Sequence, residues 1–446
     1  MGTVHLRQAL LPEGWRADVR LTFRDGVIAA VEPGQPPAPG DNRQGVGVPG
    51  MANLHSHAFQ RAMAGLAERR GTYTDTFWTW RETMYRFALA IGPEETEAVA
   101  ALLYAEMLEA GFCSVAEFHY LHHTPDGRPY ANIAELAERI VAAASGSGIA
   151  LTLLPVFYAH GNFGGAAPND GQRRFLNDVP QFARLLEASR AIGARVGVAP
   201  HSLRAATEAE MREVVALAGD GPIHLHIAEQ VREIEDSRAF SGERPVEWLL
   251  KRFAVDARWC LIHATHMTPA ETVAVAQTGA VAGLCPLTEA NLGDGIFPTR
   301  AYADAGGQLG IGSDSNVQIS VAAELRQLEY AQRLAQRERN VLAEAGGSTG
   351  RALFDAAVAG GAQALGNDAH GLCVGAPADL VTLATDNPLY AHLHEDRLLD
   401  AWLFSAGNGL IDGVWARGKK RVSAGRHHDR PALAARFQAA MARLTA

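Results

Sequence analysis

Histidines and acidic residues recur in this 446-residue chain in short pairs that suit metal chemistry. His55-Ser-His57 sets two imidazoles two positions apart. In an extended strand, positions i and i+2 project from one face, so both rings can reach one ion. Three further segments carry similar residues: His224-Leu-His226-Ile-Ala-Glu229, His263-Ala-Thr-His266 and Ser313-Asp314. Singly each is a weak signal, because such pairs are commonly structural and an aspartate close to a glycine often serves a turn. Together, three histidines and one carboxylate offer the nitrogen and oxygen donors that zinc and related divalent ions take.

These segments need elements that bring them to one place. The first fifty residues read as short strands, with Trp15 to Val31 alternating about the turn Arg24-Asp25-Gly26. Strands and helices then alternate. Pro93 to Ala110 has Pro at a helix start and Gly111 just past its end. Thr207-Glu-Ala-Glu210 and Thr268-Pro-Ala-Glu271 are capping boxes that open two more helices. Counting from Val48, eight strands follow, ending with Gln308 to Gly312. Eight such units over about 320 residues predict an α/β fold, a closed (β/α)₈ barrel with right-handed crossovers. Each candidate segment ends a predicted strand: the first, fifth, sixth and eighth. Barrel enzymes keep their chemistry on that rim. From Gly371 the text turns strand-like again, at Ala378 to Leu383, Leu398 to Phe404 and Gly413 to Val422. Leu433, Phe437, Met441 and Leu444 then recur at helical spacing. The expected organisation is residues 1–48 as the first part of a small β-sandwich, 49–370 as the barrel, and 371–446 as its second part plus a C-terminal helix.

Composition narrows the function class. Apolar residues make up 48%, charged residues 20%, and the formal charge is −9, with no basic run, so nucleic acid is not an expected partner. No apolar segment reaches membrane-spanning length, and no leader pattern opens the chain, so a cytoplasmic protein is expected. Cys113, Cys260, Cys285 and Cys373 form no CxxC pair and read as free core thiols. Only three lysines occur, the first at position 251.

The pattern Pro49-Gly-Met-Ala-Asn-Leu-His55-Ser-His57, with His226, His263 and Ser313-Asp314, resembles the amidohydrolase superfamily. The tail Gly371-Leu-Cys-Val-Gly375-Ala-Pro-Ala-Asp379 resembles that superfamily's return into its β-sandwich. The resemblance implies that His55, His57, His226 and Asp314 bind metal and that Glu229, His263 and Asp314 are catalytic. Two-metal members bridge their ions with a lysine at the end of the fourth strand. Here that strand ends at Ala199-Pro-His201, which implies one divalent ion, zinc. Such an ion lowers the pKa of a bound water towards about 7. Asp314 would take the water proton, Glu229 would protonate the substrate nitrogen, and His263 would steady the developing charge.

Two segments are more specific. Cys285-Pro-Leu-Thr-Glu-Ala-Asn-Leu-Gly-Asp-Gly295 and Gly312-Ser-Asp-Ser-Asn-Val-Gln318 resemble the N-formimino-L-glutamate deiminases of histidine degradation. Glu117-Phe-His-Tyr-Leu-His-His123 and His55-Ser-His-Ala-Phe-Gln60 fit the same family. The resemblance implies hydrolysis of N-formimino-L-glutamate to N-formyl-L-glutamate and ammonia by a homodimer. It also implies substrate contacts from Gln60, Arg81, Tyr120, His201 and Arg204. Arginines suit a dicarboxylate, which a guanidinium grips through paired hydrogen bonds. The loop Gly65 to Trp80, with Tyr73, Phe77, Trp78 and Trp80, reads as either a lid or a subunit contact. The alternative within the superfamily is a nucleobase deaminase acting on guanine or a related ring, which calls for an aromatic stacking slot. Outside enzymes, the alternative is a non-catalytic barrel scaffold, which typically loses metal ligands.

Overall fold

The computed structural model describes residues 2–70 and 74–445, so Tyr73 lies outside the described residues. Eight parallel strands form the barrel: β1 (Met51–Ser56), β2 (Phe112–His119), β3 (Ala150–Phe157), β4 (Arg195–Val196 and Ala199–Pro200), β5 (Ile223–Ile227), β6 (Trp259–His263), β7 (Val281–Leu284) and β8 (Gln308–Ile311). Backbone hydrogen bonds pair β1 to β4 in one run and β5 to β8 in another. Two seams join the runs. Val198 N donates to Pro222 O and His226 N to His201 O, while Asp314 N donates to His55 O and His57 N to Asp314 O. The second seam closes the barrel and sets Asp314 beside His55 on β1 and His57 just past its end.

Leu54, Ala116, Leu154, Cys260, Ile262 and Val281 fill the barrel and are fully buried. The end of the barrel remote from the candidate residues is plugged. Helix α3 (Thr349–Ala364), which follows α1 (Phe77–Ala90) and α2 (Pro93–Glu109), runs in against β8 and β1. His224 Nε2 donates to Ala364 O at 2.8 Å, and Thr152 Oγ1 to Leu365 O at 3.3 Å. So His224, although two positions from His226, serves this plug.

Such proximity demands glycine. A Cβ at Gly360 would lie 1.9 Å from the Leu309 carbonyl oxygen, a backbone atom that cannot swing away. Gly360→Ala is therefore expected to destabilise the protein by about 1–3 kcal/mol or more through overpacking. Gly146→Ala, on an exposed helical turn with nothing within 4 Å, should be neutral or stabilising by about 0.5–1 kcal/mol. Denaturant midpoints of the pair check this.

The chain ends build one eight-stranded sheet around a core that includes Leu6, Leu21, Phe23, Leu380 and Trp415. It folds back on itself: Ile28 N donates to Ala376 O at 2.9 Å, so the edge strand Val27–Glu32 meets the approach to Leu380–Leu383. Val48 belongs to this sheet, in the strand Asn42–Pro49, and the first barrel strand starts at Met51. Helix α4 (Arg430–Leu444) packs on α2, with Arg430 bonded to Glu106 and Glu109.

Two expectations are corrected. Leu398 to Phe404 is not a strand: Asp396–Ala401 is helical and runs on into a wider turn. A short apolar run has no period that separates a strand from a buried helix. Phe77, Trp78 and Trp80 sit on α1, capped by Thr76, and not in a loop. No helix of the described residues is long and apolar enough to cross a membrane.

Candidate active site

The floor of the candidate site comes from β1, β5 and the residues after β8. Ligand atoms of His55, His57, His226 and Asp314 lie within 4.8 Å of one another, and all four residues are buried. His55 Nε2 is 3.1 Å from His57 Nε2 and 3.0 Å from His226 Nε2. Asp314 Oδ1 is 3.2 Å from His57 Nε2 and 3.5 Å from His55 Nε2. Carbonyls fix the tautomers. His57 Nδ1 donates to Phe118 O at 3.0 Å, and His226 Nδ1 donates to His201 O at 3.0 Å. Both rings therefore turn bare Nε2 lone pairs inward. Lone pairs this close repel unless a cation lies among them.

The charge states agree. Burial pulls His55 down to about 3. Burial and the neighbouring imidazoles hold His226 well below the ordinary range. Burial pushes the Asp314 carboxyl up, but the adjoining His55 and His57 rings outweigh it and hold it well below the usual carboxylate range. Unprotonated imidazoles and an ionised carboxylate are what a divalent cation requires, so the donor set fits one.

His263 and Glu229 stand above this floor. His263 Nδ1 faces Glu289 Oε1 at 3.3 Å, and its Nε2 is 3.8 Å from both Glu229 Oε1 and Asp314 Oδ2. Burial works against a charge on His263, yet Glu229, Glu289 and Asp314 outweigh it and raise the imidazole to about 10. Burial raises the Glu229 carboxyl above its ordinary value. Ala228, His263, Ala264 and Asp314 all have φ between 45° and 70°, roughly the left-handed region. Strained backbone of this kind persists only where surroundings enforce it, and it clusters at working sites.

All five expected substrate contacts line one cavity over that floor: Gln60, Arg81, Tyr120, His201 and Arg204. Gln60 Nε2 donates to the Tyr120 hydroxyl at 2.7 Å, while its Oε1 is buried without a partner among the described residues. Burial and the nearby Arg204 hold His201 well below the ordinary imidazole range. Arg204 is only 8% exposed, and its Nε has no hydrogen-bond partner among the described residues. Among the described residues it has no carboxylate within ion-pair distance. Burial works against its charge, and the carboxylates of Glu233 and Glu229, both beyond ion-pair distance, offset that and raise its pKa. Arg81 stacks over Trp78 and Tyr85 at 4.6 and 5.5 Å from their ring centroids.

Several residues at the site carried no role in the sequence reading. Tyr85, Tyr158 and Phe175 line the cavity. Glu117 accepts from Ala58 N at 2.6 Å and from Tyr104 at 3.1 Å, fixing the turn after His57. Asn53, Ser313 and Asn316 form a chain of hydrogen bonds that ends on His57 O and braces Asp314. Glu289 orients His263. Glu117, Glu289 and Asn316 all fall within the family-like segments, which was the available signal.

Comparison with known proteins decides the family. The amidohydrolase family matches residues 46–421. The chain belongs to the amidohydrolase family. The N-terminal domain of formimidoylglutamate deiminase HutF matches residues 1–45. This amidohydrolase is 51% identical over 434 residues to the formimidoylglutamate deiminase of Pseudomonas aeruginosa, covering 96% of each chain. It superimposes on the crystal structure of an amidohydrolase from Brucella melitensis with a TM-score of 0.97 and 57% identity, over 100% of both chains. An adenosine deaminase from Xanthomonas campestris with bound zinc is more distant, at a TM-score of 0.82 and 25% identity over 99% and 98% of the chains. Amidohydrolases depend on metal, and the His/Asp cluster is where this one would hold it.

Proposed function

We propose that this amidohydrolase hydrolyses N-formimino-L-glutamate to N-formyl-L-glutamate and ammonia. The observation that carries the proposal is the buried Arg204, with no direct ion pair among the described residues, beside Arg81 and above a floor of three imidazoles and one carboxylate. The name of the Pseudomonas relative and the match of residues 1–45 support the same substrate.

His55, His57, His226 and Asp314 would hold one divalent ion, zinc by the donor set and by its presence in the Xanthomonas relative. Bound there, the ion supplies a Lewis acid that lowers the pKa of water. The residues do the rest. Arg81 and Arg204 bind the carboxylates and orient the linear amidine. Asp314 accepts a proton from the attacking water at a carboxylate oxygen. Glu229, with its raised pKa, delivers a proton to the amidine nitrogen that leaves as ammonia. His263, held cationic between Glu229 and Asp314, stabilises charge on the reacting carbon's substituents. Water adds across the C=N bond, the C–N bond to the terminal nitrogen breaks, and a formamide remains.

Ammonia release is measured with N-formimino-L-glutamate and, separately, with guanine. Turnover of guanine alone would refute the proposal. Arg204→Gln is expected to raise KM for N-formimino-L-glutamate by roughly 10- to 100-fold, the loss of a charge-assisted hydrogen-bond pair. The resemblance to formiminoglutamate deiminases also supports a cytoplasmic homodimer, checked by light scattering of the purified protein, and one ion per chain, checked by metal analysis.

A further inference from the structure

We infer that the Tyr158 hydroxyl is a third donor to the substrate carboxylate held between Arg81 and Arg204, its proton aimed there by Gln172. This rests on the substrate class proposed above.

Tyr158 follows β3 directly and lines the cavity with both arginines. Its backbone is fixed on both sides: Tyr158 N donates to Asn177 Oδ1 at 3.3 Å, and Asn177 N donates to Tyr158 O at 2.9 Å. Its ring packs against those of His201 and Phe175, with centroids 4.6 and 5.7 Å away. The side chain is therefore held in place, 6% exposed.

The direction of its hydrogen bonds follows from one amide. Gln172 is fully buried. Its Oε1 accepts from Asn169 N at 2.8 Å, so a backbone donor fixes which end of the amide is oxygen. Its Nε2 must then be the atom that meets the Tyr158 hydroxyl, 2.6 Å away, and it donates there. The phenol oxygen is thus an acceptor in that bond, and its own proton points elsewhere. Among the described residues it has no acceptor. The groups near it across the cavity are the guanidiniums of Arg81 and Arg204, which have no acceptor to offer, and the Tyr85 phenol, which makes no hydrogen bond with it. Both guanidiniums are close enough to draw the Tyr158 pKa down against the upward push of burial. A buried O–H without an acceptor is unfavourable, and a carboxylate between the two arginines satisfies it.

The consequence is specificity. Three donors around one group accept a carboxylate, which only accepts, and disfavour a carboxamide, which would turn an N–H against at least one of them. Tyr158 thereby selects the charged end of the substrate, and Gln172 is its positioning residue.

The test pairs the deletion of the hydroxyl with deletion of each carboxylate. Wild-type enzyme and Tyr158→Phe are assayed with N-formimino-L-glutamate, with N-formimino-4-aminobutyrate, which lacks the α-carboxylate, and with N-formimino-2-aminobutyrate, which lacks the γ-carboxylate. For the full substrate, Tyr158→Phe should raise KM by roughly 10- to 100-fold with kcat nearly unchanged, the pattern of a lost binding contact to a charged group. For one of the two truncated substrates it should change kcat/KM hardly at all, which identifies the carboxylate concerned. Gln172→Met should raise KM in the wild-type background and add little in the Tyr158→Phe background, since its amide donates to that hydroxyl. An unchanged KM for the full substrate, an equal loss on both truncated ones, or additive effects of the two substitutions would overturn the assignment. Wild-type turnover is measured first. Its absence would refute the proposed substrate and this inference together, whereas turnover with an unaltered Tyr158→Phe KM would refute this inference alone.

Discussion

Asp314→Asn is expected to cut kcat by on the order of 10²- to 10⁴-fold, even with divalent metal in excess. Asparagine keeps the size of the side chain and one oxygen, so the fold should survive. The backbone at Asp314 is held by the seam with His55 and His57, which does not involve the side chain. What is lost is a negative charge 3.2 and 3.5 Å from two imidazole nitrogens and the group that takes the water proton. Two losses should be separable. Metal retained after dialysis against a chelator should fall, because a charged donor has been made neutral. Turnover should stay low when metal is restored, because the amide cannot accept a proton. Recovery of wild-type kcat at saturating metal would show that Asp314 serves only as a ligand.

Glu229→Gln is expected to lower kcat by a similar order, about 10²- to 10⁴-fold, with metal content and KM little changed. Glu229 is 4% exposed and is not among the four clustered donors, so its loss should leave the metal in place. Its backbone N donates to Glu233 Oε2 at 3.2 Å, a contact that glutamine keeps. Stability should not suffer either, because the substitution removes one carboxyl from a crowded group that includes Glu233 and Asp294. Burial and the neighbouring Glu229 push Asp294 up to about 9, a sign of how much acid is concentrated there. Steady-state kinetics, metal analysis and a thermal midpoint on the same preparation check the prediction. A full kcat in Glu229→Gln would remove the residue from the proton path.

Much of the fold was legible because its signals are local. Pro93–Glu109 is bounded by a proline and a glycine whose backbone preferences act within one turn. Thr207 and Thr268 accept from Glu210 N and Glu271 N, as their capping boxes require. Helix α1 was less legible. Its buried positions, Phe77, Met84 and Ala88, have helical spacing but sit among exposed aromatics that blur the stripe. Asp396–Ala401 carries no helical signal, because Leu398 and Leu399 are apolar without a period. There Asp400 accepts from Ser348 and from Gly350 N, bracing the start of α3, a contact between segments about fifty positions apart.

The sequence by itself determined the donor types, their placement at strand ends and the barrel that carries them. These follow from a two-residue strand period, from capping chemistry and from recurring βα units, all of which act over a few positions. Only the tertiary structure decided which groups meet and which way their hydrogen bonds run. Asn53 bonds Ser313 across 260 positions because β8 pairs with β1 to close the barrel. The left-handed backbone of His263 and Asp314, the plug under the barrel and the lack of a hydrogen-bond partner for Arg204 Nε among the described residues all depend on neighbours distant in sequence. Contacts of this kind come from the collective pairing of the whole barrel, which no local pattern encodes.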